Sequence, residues 1–256
     1  MKFAITAACV AALLAGTSAS AATPTSASIS IANAAIHVFD LTPDDGNAAG
    51  YSIQKVYTGL NIYLNQDEGA GVMASASPTG AATIARDSHM MQASAGWTGT
   101  LGEITLTTSS GNSAGYSSAD AWHAFTIRVA PHTAFAFTAL VTVADGRNTP
   151  GSFSKVGVWL DVLGLVNPQH DIRYELERGS WDPASGNATP DFSLQQDFSV
   201  SYVNLTDSAQ DLSFTYRLFS DVRYAVAPVP EPATYLMLGV GLLAIGAQAA
   251  RRHRAA

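Results

Sequence analysis

The sequence has a single cysteine, Cys9, and it lies inside an apolar N-terminal run. Met1-Lys2 gives that run a positive start. Phe3 to Gly16 is apolar, and Thr17 to Ala22 is small and polar, with Ala19 and Ala21 at the A-x-A spacing a signal peptidase requires. The pattern predicts a secretory signal over residues 1–21, cut after Ala21 or one residue later. Thr6-Ala7-Ala8 precede Cys9 where a lipoprotein would carry a leucine-led box. Cleavage therefore removes the only thiol. No disulfide, thiolate nucleophile or cysteine-ligated metal is then possible. An exported domain of this kind must hold together by its core, and roughly 200 residues suffice for one.

Basic residues are also scarce. The chain has 13 Lys plus Arg against 20 Asp plus Glu. Lys2, Arg251, Arg252, Arg254 and Glu231 lie at the two ends. Without them the body carries 9 basic and 19 acidic residues, a net of −10. No basic patch is present, so nucleic acid and anionic surfaces are excluded as partners. Helical periodicity is nearly absent as well. What recurs is period two. FAFTALVTV at 135–143, DIRYELER at 171–178 and LSFTYRL at 212–218 alternate apolar with polar. Further strand candidates are 28–41, 51–64, 101–108, 121–130, 154–165, 192–205 and 221–226. Alternation of this kind marks half-buried strands. Turn chemistry separates them: TPDDGN at 42–47, NQDEGAG at 65–71, ADGRN at 144–148 and WDPASGNATPD at 181–191. The expected body, residues 22–226, is all-β: an antiparallel β-sandwich or jelly roll. Phe137, Val141, Val158, Tyr174, Leu176, Phe214 and Tyr216 are its expected core. The Ala/Ser/Gly-rich stretch 69–99 reads as a loop, an edge hairpin or a short helix over 81–92.

The C-terminus is different in kind. Residues 227–232 form a linker. Ala233 to Ala250 is an 18-residue uncharged run, and a basic end follows at 251–256. As a helix the run is about 27 Å long, enough to cross a thinned bilayer. Arg251, Arg252 and Arg254 stop transfer and stay cytoplasmic. Val229-Pro230-Glu231-Pro232 stands directly before the run. Two prolines around a glutamate hold that strip extended, in a form a processing enzyme can grip.

This trio resembles the PEP-CTERM sorting signal: a V-P-E-P motif, one span, then a basic cluster. The resemblance covers residues 229–254. It implies recognition of Pro230, Glu231 and Pro232 by an exosortase, a membrane-embedded cysteine protease of Gram-negative bacteria. The same tail occurs on chains named after ice-binding proteins; that name implies no ice binding here. FDLTPDDG at 39–46 and VSYVNLTDSAQDLSFTY at 200–216 also resemble uncharacterised PEP-CTERM surface proteins. The implied partners are the exosortase and, transiently, the inner membrane, with an extracellular polysaccharide as a further candidate.

The body offers little assembled chemistry. Gly111-Asn112-Ser113-Ala114-Gly115 matches G-x-S-x-G. That elbow needs a helix after it, and WHAFTIRVA alternates like a strand. His123 and His132 flank a possible hairpin but have no acid nearby in sequence, and read as surface residues. Glu175 and Glu177 share a strand face, roughly 6.6 Å apart at ~3.3 Å per residue, a spacing compatible with a glycosidase pair. The strand lacks the E-x-D-x-x-E pattern of jelly-roll glucanases, and Asp171 and Arg173 beside it suggest a mixed-charge solvated face. Asp40, Asp44, Asp45 and Asn47 do not follow a calcium-loop spacing. Trp181 could stack on a sugar, though a Trp closing a sandwich end is commoner. Asn187 and Asn204 head sequons that a bacterial chain seldom uses. The expectation is therefore no catalytic residue, no metal and no cofactor. The reading is a non-enzymatic exported surface or matrix protein with a structural or adhesive body. The alternatives are a carbohydrate-binding module and, behind it, an extracellular hydrolase.

Overall fold

The computed structural model describes residues 25–66, 71–88, 90–99, 101–111, 115–146, 153–164, 172–180 and 192–224. The chain divides into two compact units, Met1–Ala225 and Val226–Ala256. The second unit lies outside the described residues, as do the expected signal peptide, linker, span and basic end. Among the described residues no helix is long and apolar enough to cross a membrane.

The described residues form twelve strands: β1 (Thr25–Asp40), β2 (Tyr51–Gln66), β3 (Val72–Ala76), β4 (Ala82–Ser88), β5 (Met91–Trp97), β6 (Ile104–Ser110), β7 (Gly115–Val129), β8 (Thr133–Gly146), β9 (Phe153–Gly164), β10 (Ile172–Ser180), β11 (Phe192–Asn204) and β12 (Gln210–Tyr224). They build two six-stranded antiparallel sheets. The first has the order β11-β8-β1-β6-β5-β4, and the second β10-β9-β12-β7-β2-β3. The chain changes sheet at most connections and forms hairpins at β2–β3, β4–β5, β5–β6 and β9–β10.

Period-two patterning explains the packing. Ile29, Ile31, Leu106, Phe137, Val141 and Val143 face inward from the first sheet, and Leu60, Phe125, Val158, Phe214 and Leu218 from the second. The two faces meet through rings. Phe125 stacks on Phe214 at 5.1 Å, and Phe137 approaches both from the opposite sheet at 6.2 and 5.9 Å. Each buried aromatic brings a large apolar area to this layer, and tilted pairs add to it. Of the expected core, Phe137, Val141, Val158, Phe214 and Tyr216 are buried, and Leu176 packs partly buried against them. The Tyr174 side chain lies outside what is described.

Of the alternatives for the stretch 69–99, the edge hairpin is the one that forms: β4 and β5 pair at the end of the first sheet, β3 edges the second, and the described residues of 81–92 hold no helix. Two expectations need correction. The strands expected at 212–218 and 221–226 are one, β12. The hairpin expected between His123 and His132 does not form, because β7 and β8 belong to different sheets. One irregularity shapes β1. Its register against β8 shifts between Ala32 and Ala35, and Asn33 there has φ of 55°. Asparagine tolerates that left-handed turn better than most residues, and the bulge resets which side chains face inward.

Candidate functional site

The outer face of the second sheet is where side-chain chemistry gathers. Along β7, β9 and β12 the odd or even set that faces the core is apolar; the opposite set should be polar. Among the aromatics that break that rule are Trp122 on β7, Trp159 on β9 and Phe219 on β12. Strand pairing brings them together. Trp122 is the register partner of Arg217, and Arg217 of Trp159. One step along, Asp120 pairs with Phe219 and Phe219 with Gly157.

Glycine sets how these rings lie. A Cβ on Gly59 of β2 would overlap the Trp122 indole, and one on Gly157 would overlap the Phe219 ring. The two rings are thus laid across the neighbouring strand, over positions that have no side chain. Phe219 is 8% exposed and forms a floor; Trp122 is 37% exposed. Trp159 leans against Phe219, with centroids 5.2 Å apart and planes inclined at 53°.

Ion pairs border the rings. The Arg217 guanidinium lies over Trp159 and donates to the Asp120 carboxylate. Lys155 sits 5.3 Å over the Phe219 ring and 2.9 Å from Glu177 on β10. Tyr116 donates to Asp221 at 3.0 Å. Burial first, and then the adjacent Asp221 carboxylate, push the Tyr116 phenol up to about 12, so it remains a donor. A cavity of about 260 Å³ opens among Tyr116, Asp120, Lys155, Trp159, Arg217 and Phe219, with Ser118 and Asp221 at its edge. Its chemistry is flat apolar surface bordered by fixed donors and acceptors.

The sequence-predicted residues distribute differently. Val229, Pro230, Glu231, Pro232, Arg251, Arg252 and Arg254 lie outside the described residues, as do Ser113, Trp181 and Asn187. Gly111 and Gly115, which flank Ser113, are buried between β6 and β7. Glu175 and Glu177 are exposed on β10, the outermost strand of the second sheet. In the Asp-rich turn, Asp45 accepts from the Asn47 backbone N–H at 2.7 Å and from the Thr42 hydroxyl at 2.8 Å. Those two bonds hold its carboxyl below the usual range. Among the described residues, no three His, Cys, Asp or Glu side chains converge as metal ligands would.

His123 and His132 are not neighbours in function. His132 sits at the turn before β8 and bonds Asp207 at 2.8 Å. His123 is 1% exposed, in place of the surface position expected. Its Nδ1 is 2.7 Å from the Thr58 hydroxyl, and its ring packs on Trp97, Phe125 and Tyr216. Burial pushes the imidazole down to about 4. Asn204, read as a sequon, is also buried. Its amide donates to the carbonyls of Ala130 and Ser208 at 2.8 and 2.9 Å, so it is not available for glycosylation in the folded body.

Sequence reasoning passed over Trp122, Trp159, Phe219, Arg217 and Asp120. A signal existed: VGVWLDV at 156–162, ADAWHAF at 119–125 and RLFSD at 217–221 each carry an aromatic on the polar parity of a strand.

The family model of the PEP-CTERM protein-sorting motif matches residues 228–254. The chain carries a PEP-CTERM sorting motif. The match spans Val229-Pro230-Glu231-Pro232, the apolar run and the arginines. A PEP-CTERM tail implies export, a membrane-anchored precursor and processing by an exosortase. No curated protein matches the chain, and no solved structure does.

Proposed function

We propose that the chain is a Gram-negative surface or extracellular-matrix protein whose β-sandwich body is structural or adhesive and performs no catalysis. The observation that carries this reading is the PEP-CTERM match at 228–254. On this reading residues 1–21 leave as a signal peptide. Residues 233–250 span the inner membrane until the exosortase acts near Glu231. The body reaches the cell surface or the medium. It groups with jelly-roll-like sandwiches, because consecutive strands repeatedly change sheet. Support for a non-catalytic body comes from the carboxylates. Asp120 is engaged by Arg217 and Glu177 by Lys155. Carboxylates held in ion pairs of this kind are not poised as a free acid and base.

The test takes the native protein in two measurements. Intact mass of the exported form should lack the C-terminal arginines. Incubation with a panel of polysaccharides and esters should release no product, with Ser113→Ala and Glu175→Gln indistinguishable from the parent. Product formation lost in either variant would overturn the non-enzymatic reading.

A further inference from the structure

We propose that the outer face of the second sheet binds an uncharged glycan, stacked on Trp159 and Trp122 above the buried Phe219 ring and hydrogen-bonded by the Asp120–Arg217 and Lys155–Glu177 pairs. This deepens the adhesive reading above and rests on it.

Three features of the face select the ligand. The first is the rings. Large aromatics normally face a core, because their burial removes apolar area from water. Here they lie on the solvent side, and glycines at 59 and 157 leave room for two of them to lie across neighbouring strands. The C–H face of a pyranose has the shape and apolar character to cover such a ring. The second is the border. Arg217, Asp120, Lys155 and Glu177 are fixed by one another beside the rings. Guanidinium and carboxylate groups held in this way present donors and acceptors in set directions, as the hydroxyl rim of a sugar requires. The third is charge. Each cation lining the pocket is already paired, Arg217 with Asp120 and Lys155 with Glu177, and Asp221 adds a further carboxylate at its edge. Together with the acidic body, that selects against uronic acids, phosphate and nucleic acid.

Spacing adds a further point. Trp122 and Trp159 stand in one register row, two strands apart, with Arg217 between them. At a strand spacing of about 4.8 Å their backbones are about 10 Å apart. A row of platforms across the strands suits a chain of several sugar units better than a single one. The cavity of about 260 Å³ marks where one unit sits against Phe219 and Trp159.

The test uses the full chain in a zwitterionic detergent, since alkyl glycosides would compete. Native affinity electrophoresis is run through gels holding hydroxyethylcellulose, galactomannan, xylan or dextran, with polygalacturonate as the acidic polymer. Retardation is expected in at least one neutral gel and not in polygalacturonate. Trp159→Ala should weaken it at least tenfold, and Trp159→Phe should keep most of it. Arg217→Met provides a second variant, and a circular dichroism spectrum of each confirms the fold. Thr142→Ala, on the other sheet, should leave binding unchanged. No retardation in any neutral gel, or retardation that Trp159→Ala and Arg217→Met both leave intact, overturns the proposal. Retardation only in polygalacturonate overturns it too. A dimer that dissociates in Trp159→Ala would assign the face to a second copy instead. Release of reducing ends from a bound polymer would sink the non-catalytic reading and leave the binding site standing.

Discussion

Among the described residues, His123 is the imidazole carried into the core, and its environment fixes how stability responds to acid. In the unfolded chain it takes a proton near pH 6.5; in the folded body, burial delays this to about 4. Between those values the unfolded state binds a proton that the folded state does not. Stability therefore falls as pH drops through the window from 6.5 to 4, and above it this residue adds no pH dependence. The shift corresponds to about 3 kcal/mol at the lower end. Urea unfolding at a series of pH values should show that decline. His123→Phe should flatten it while leaving the contribution of the carboxylates in place. A slope unchanged in the variant would mean the imidazole is protonated inside the fold. Position 123 was legible as an inward residue, because 121, 123, 125 and 127 share one parity. Its burial was not, since a histidine in an alternating run also suits solvent. Only the pairing of β7 with β2, which places Thr58 beside it, decides the matter.

At the scale of the element, two substitutions probe how strands are held. Gly157 lies where β9 is crossed by the Phe219 ring and faced by the Leu176 carbonyl, 3.0 Å from where a Cβ would stand. Gly157→Ala must displace an aromatic ring beside fixed backbone. Overpacking of that kind costs about 1–3 kcal/mol, read as a lower urea midpoint, and it should also shift Trp159 fluorescence. Asn204 works at the other kind of place, a strand end. It ties β11 to the ends of β7 and to the turn before β12, through bonds to Ala130, Ser208 and Thr206. Asn204→Ala removes the buried amide together with its bonds to the Ala130 and Ser208 carbonyls and should lower stability by about 1–3 kcal/mol. Denaturation of the variant against the parent measures this. Strands with strong contrast, such as β8 and β12, could be read from the sequence because large apolar residues alternate with Thr, Ser and Arg. β4 and β5 could not. In MQASAGW the inward set is Met91, Ala93, Ala95 and Trp97, and the outward set Gln92, Ser94 and Gly96. Ala, Ser and Gly differ too little in apolar area for period two to stand out. Sheet membership was equally hidden. Nothing local in residues 121–143 states that β7 and β8 go to opposite layers. Each outward aromatic was legible on its own strand, but their meeting on one face was hidden for the same reason, since it is assembled by register among β2, β7, β9 and β12.

At the scale of the whole molecule, the two ends and the body carry different kinds of information. The body's strands are fitted to one another and say little by themselves about destination. The tail is read by another protein, so its signal survives in a short linear stretch. That is why 228–254 was legible without a structure while the outer-face site was not. The motif and the span make separable demands. Ala233–Ala250 and the arginines after it depend on hydrophobicity and charge, which substitutions at 230–232 leave untouched. On the proposed reading, recognition of Pro230-Glu231-Pro232 depends on the two prolines and the carboxylate. Replacing all three by alanine removes the prolines, which disfavour helix, together with the carboxylate. On that reading the exosortase then meets neither the prolines nor the carboxylate. The triple variant should be exported and remain in the inner membrane at full length less its signal peptide, with the body folded and able to bind whatever the parent binds. Fractionation followed by intact mass reads both location and length. Normal trimming and release of this variant would mean that Pro230, Glu231 and Pro232 are not what the protease reads. Glu231→Gln divides the two requirements: it keeps the prolines and removes only the charge, so retention of that variant would place recognition on the carboxylate rather than on the extended strip.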